Sequence, residues 1–155
     1  MKRLLAAGLL ILAVDGPYDI PLTGTAAVPE AKGTARLVFA PSPFGIAVTA
    51  DGRASYQVKL ELSGLPAPAT LGGAAGYVAW AALPDLSRWE HLGTVRNGRT
   101  TVGQVDFNKF LFVITAEPDT LAQARTGPVV MRGASPSTWL QAFGSHPMFR
   151  GIPPG

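Results

Sequence analysis

The chain has 155 residues, enough for one domain that buries a sizeable core without staples. Only 15% of them are charged, while glycine (18) and proline (14) are both frequent, which argues for a sandwich or barrel with many tight turns and against a helical bundle. The net charge of +3 comes from basic residues scattered along the sequence, so no Lys/Arg run interleaved with aromatics marks a nucleic-acid surface, and the absence of cysteine excludes disulfides and thiolate metal sites.

Met1-Lys2-Arg3 followed by the uncharged run Leu4–Val14 has the form of a secretory signal, ended by Asp15, Gly16 and Pro17. The apolar run is too short to cross a hydrocarbon core of about 30 Å as a helix. The expectation is a signal peptide over 1–16 and an exported protein, periplasmic or extracellular. Residues 17–32, rich in Pro, Gly, Ala and Thr, are predicted to be an extended lead-in to a β-domain spanning 33–144.

Gly33–Ala40 is the first predicted strand, with Ala35, Leu37 and Phe39 on one face, and Pro41-Ser42-Pro43 breaks it. Gly45–Ala50 and Arg53–Leu62 flank Asp51-Gly52 as a hairpin, and the second arm alternates cleanly: Tyr56, Val58, Leu60 and Leu62 inward, Gln57, Lys59 and Glu61 outward. After a Pro/Gly loop, Gly76–Pro118 predicts a four-strand meander at the centre of the core. Tyr77–Ala82 carries Trp80, and Phe110–Thr115 is apolar on both faces, the pattern of a strand buried on both sides or roofed by a loop. Asn97-Gly98 tolerates the positive φ of a type I′ turn, which would fold Glu90–Val95 back on Thr100–Val105.

Val129–Arg132 is a last short strand. Ser135-Pro136 with Ser137–Phe143 and Gly144 predicts one short C-terminal helix, from its serine cap, first-turn proline and terminal glycine. Residues 145–155 form a Pro/Gly tail resembling a linker. The fold class is all-β, an antiparallel β-sandwich of about seven to eight short strands with one short helix. Gly33–Ala40, with Arg36 as its only charge, is the edge expected either to pair with a partner chain or to be covered by residues 17–32.

No catalytic constellation is apparent. His91, His146 and Met148 are the candidate ligands for a soft metal such as copper, since a mononuclear site needs three or more ligands in fixed geometry. Placed simply by sequence, His91 stands on a hairpin arm and His146 in a tail. Glu117 and Asp119 flank Pro118 and form either an acid/base pair or turn chemistry. Trp89 and Trp139 lie near loops and are the candidate ligand-binding aromatics, whereas Trp80 belongs to the core.

The phrases GTARLVFAPSPFGIAVTADGRASYQVKLELSGLP, GYVAWAALPDLSRWEHLGTVRNGRTTVGQVDFNKFLFVITAEP and GPVVMRGASPSTWLQAFGSHPMF resemble a leader region that precedes the copper-binding cupredoxin domains in some bacterial exported multicopper oxidase-like proteins. The Tyr77–Trp80 strand and the Thr115-Ala116-Glu117-Pro118 segment are more loosely similar to the extracytoplasmic β-sandwich of anti-sigma factors, whose membrane span and sigma-binding helices have no counterpart here. The His-x-His pairs and Cys-His strand that hold copper in the oxidases do not occur, so no ligand carries over. The first resemblance implies a non-catalytic accessory or interaction module without a cofactor of its own. Its partner would be another protein or cupredoxin domains following in the same longer chain. The alternatives are a copper-binding or oxidoreductase-associated enzyme component, a hydrolase built on Glu117 and Asp119, and an anti-sigma-like sensing domain.

Overall fold

A computed structural model describes residues 19–40, 55–106 and 109–135. They form eight strands: β1 (Asp19–Gly24), β2 (Lys32–Phe39), β3 (Tyr56–Ser63), β4 (Gly76–Ala82), β5 (Trp89–Val95), β6 (Gly98–Val105), β7 (Leu111–Glu117) and β8 (Val129–Ala134). All belong to one antiparallel sheet in the order β5-β4-β7-β8-β1-β2-β3-β6. The all-β antiparallel class therefore stands, realised as a single sheet that coils until its two end strands approach one another. The Asp51-Gly52 turn, the helix over 137–143 and the signal segment lie outside the described residues, as do Trp139, His146 and Met148.

Period-two alternation places the core. Val58, Leu60 and Leu62 of β3 face inward beside Ala35 and Leu37 of β2, while Lys59, Glu61 and Ser63 face out. Tyr77, Ala79 and Ala81 of β4 meet Phe112, Ile114 and Ala116 of β7 in the same interior. Phe39 lies beyond this core: it is 44% exposed and stacks on Tyr56 at a ring separation of 5.3 Å.

Residues 17–32 are more than a lead-in. Asp19–Gly24 is a full strand of the sheet, pairing with β2 from Asp19↔Arg36 to Thr23↔Lys32. Ile20 and Leu22 are buried, a two-residue alternation that Pro21 interrupts. The proline is tolerated because the ladder to β8 begins only at Thr23↔Arg132, leaving Pro21 outside it. The edge expected at Gly33–Ala40 is thus covered by the chain's own N-terminal strand. The short strand after Pro128 is likewise interior, between β7 and β1.

The Asn97-Gly98 turn also departs from expectation. Gly98 has φ +97°, but Asn97 is not in the positive-φ region that a type I′ turn requires at both positions. The two arms diverge, with β5 pairing β4 and β6 pairing β3. No ladder joins β5 to β6. Each carries a bulge, at Leu92 opposite Ala79/Trp80 and at Val102–Gly103 opposite Gln57/Lys59. The bulges meet at the seam: a Cβ on Gly103 would lie 3.1 Å from the Leu92 carbonyl oxygen, so glycine permits the close approach.

Candidate functional site

The outer face of β5, β4 and β7 holds a second, smaller apolar cluster of Val78, Trp80 and Val113. Strands this apolar on both faces need a cover, and residues 118–128 supply it. Pro118 cannot continue the ladder, and the Asp119 carboxylate accepts the Leu121 N–H at 2.9 Å, turning the chain back across the sheet.

Glu117 fastens that cover. It is 1% exposed. Its Oε1 accepts the Thr115 hydroxyl at 2.5 Å, and its Oε2 accepts the Thr126 N–H at 3.1 Å, the Thr126 hydroxyl at 2.9 Å and the Gly127 N–H at 2.9 Å. Burial disfavours the charged form, but these hydrogen bonds outweigh it and hold the carboxyl below its ordinary range. Thr115 also accepts from Trp80 Nε1 at 2.8 Å, so donors run in one direction from indole to hydroxyl to carboxylate. With both oxygens engaged and Asp119 committed to its own turn, the pair does not form an open acid/base site. Glu117 is an anchor.

His91 belongs to the same assembly. Its Nε2 lies 2.8 Å from the Thr120 carbonyl, so that nitrogen carries the proton and donates it to the covering segment. The ring meets Trp80 edge-on at 5.1 Å. Coordination of a metal through Nε2 would require this bond to break. Among the described residues no three His, Cys, Asp or Glu side chains come together as a metal-binding group.

At the rim the assembly becomes a surface. Arg125 lies 4.6 Å above the Trp89 ring, and Trp89 Nε1 donates to the Leu86 carbonyl at 3.2 Å. Leu86 ends the turn that Leu83 begins, its N–H donating to the Leu83 carbonyl at 2.8 Å, and its φ is +63°. That conformation costs a leucine about 1–2 kcal/mol. The same side chain is 53% exposed, and Leu121 on the covering segment is 77% exposed. An exposed leucine on a strained backbone thus lies beside an Arg-stacked tryptophan, and a second exposed leucine stands on the same covering segment as the arginine.

Of the residues singled out in the sequence, the structure brings Trp89, His91, Glu117 and Asp119 to one side of the sheet. Leu86, Leu121 and Arg125 were missed, and only their loop positions hinted at them. No helix among the described residues is long and apolar enough to cross a membrane. Comparison with models of known families, with curated proteins and with solved structures gives no match to this chain.

Proposed function

We propose that this protein is an exported, non-catalytic β-domain that works as an accessory or interaction module, and that Leu86, Trp89, Leu121 and Arg125 form its contact surface. The exposed, strained Leu86 beside the Trp89–Arg125 stack carries the reading. Tryptophan and arginine are among the residue types enriched in interface hot spots. Here they sit on a β-hairpin turn and on a segment fixed by Glu117, Thr120 and His91, so little ordering is needed on contact. Export rests on the basic, then apolar, start of the chain. The resemblance to the leader region of multicopper oxidase-like proteins suggests cupredoxin domains as the partner, encoded separately or further along the same chain.

The test is size-exclusion chromatography of the protein mixed with a purified cupredoxin-domain oxidase from the same bacterium. Co-elution that Leu121→Asp weakens supports the proposal. Separate elution at concentrations up to about 100 μM, the range of transient contacts, would remove the oxidase as partner.

A further inference from the structure

The cations that are scattered along the sequence are gathered by the topology. On the outward face of β8-β1-β2-β3-β6 the register sets three rows across the strands: Arg132–Thr23–Lys32–Ser63, Asp19–Arg36–Lys59–Thr101, and Pro21–Thr34–Glu61–Arg99. Five cations share this face with two carboxylates. Asp19 is spent on Arg36 through a two-pronged pair at 2.8 and 2.9 Å, and Glu61 reaches Arg99 only at 3.7 Å with both side chains largely in water. Lys32, Lys59 and Arg132 have no ion-pair partner among the described residues. The outward side chains of β2, β3 and β6 line a shallow depression here that is open to solvent.

We infer that this face binds an extended acidic polypeptide segment. The sheet repeats its outward side chains every ~6.8 Å along a strand, the interval at which an extended peptide repeats side chains on one of its own faces. An acidic segment lying along β2 and β3 would set one carboxylate against Lys32 and another, two repeats further on and past the Thr34–Glu61 pair, against Lys59, with the Thr34 hydroxyl as a donor between them. None of the twelve row positions is aromatic. Single-stranded nucleic acid, which binds through base stacking as well as charge, lacks its platform here.

Fluorescence anisotropy with a labelled twelve-residue Glu/Asp peptide tests this on the full chain, with labelled oligothymidylate as comparator. The expected result is saturable peptide binding that weakens with added salt and falls about tenfold or more in the Lys32→Glu/Lys59→Glu double variant. Both sites are exposed strand positions, and an unchanged melting temperature would establish that the variant folds. Arg88→Glu, a charge reversal outside this face, should leave the affinity as it was. Absence of binding at low salt, equal loss in Arg88→Glu, or tighter binding of oligothymidylate than of peptide would each overturn the inference.

Discussion

The Asn97 carboxamide holds both backbone groups of Leu65: its Oδ1 accepts the Leu65 N–H at 3.0 Å and its Nδ2 donates to the Leu65 carbonyl at 2.9 Å. A side chain thus does the work of a neighbouring strand, tying the turn between β5 and β6 to the loop after β3. Asn97→Ala should cost about 1–2 kcal/mol by leaving both Leu65 groups without partners. Asn97→Gly keeps a turn-compatible residue and should cost at least as much. Urea denaturation of the two variants separates the roles: if Asn97→Gly matches the parent, the turn matters and the clamp does not.

The Glu117 anchor gives a pH signature. Its folded pKa lies below the ordinary value of 4.5, so its contribution is fully present above that value and is lost as the pH falls through the lower, folded pKa. Glu117→Gln removes the charge and sets an N–H₂ group against one of the donors it served. The expected loss is about 2–3 kcal/mol at pH 7, shrinking as the pH is lowered from the ordinary carboxyl value of 4.5 through the folded pKa. Amide exchange at Thr126 and Gly127 should accelerate in the variant. Unchanged protection of those two amides would show that the segment is held by something else.

The seam between the end strands predicts an association phenotype. Gly103→Val would press a branched side chain against the Leu92 carbonyl, at a cost of about 1–3 kcal/mol. Prising the bulges apart would also bare two strand edges. Light scattering should show more concentration-dependent association of the variant than of the parent at the same temperature. A variant as stable and monodisperse as its parent would mean that the seam tolerates a gap.

His91 should not hold copper with its Nε2 proton donated to Thr120, so the chain should show no stoichiometric copper uptake through this residue. Equilibrium dialysis followed by metal analysis checks this. One tightly held copper per chain, lost in His91→Ala, would contradict it.

Much of this architecture was legible where alternation is long. Val58, Leu60 and Leu62 declared their face without help, and the doubly apolar Phe110–Thr115 run called for burial on both sides or a covering loop. Ile20 and Leu22 gave too few repeats to outweigh Pro21, whose tolerance depends on where the β8 ladder starts. Asn97-Gly98 carried a hairpin signal that the tertiary structure overrode, since β5 pairs with β4 and β6 with β3 instead of with each other. The site was less legible still. Arg125 and Trp89 are far apart in sequence, and the φ of Leu86 sits where residue statistics expect glycine.

That last feature supplies the most direct test of the interaction surface. Leu86→Gly relieves the backbone strain and removes the exposed side chain in one step, so stability and binding should move in opposite directions. Isothermal titration of the parent and Leu86→Gly proteins with the cupredoxin-domain oxidase, beside their melting temperatures, measures both. The account predicts a variant at least as stable as the parent whose affinity falls about tenfold or more. An affinity equal to the parent's would contradict the claim that Leu86 is held in that conformation to make contact.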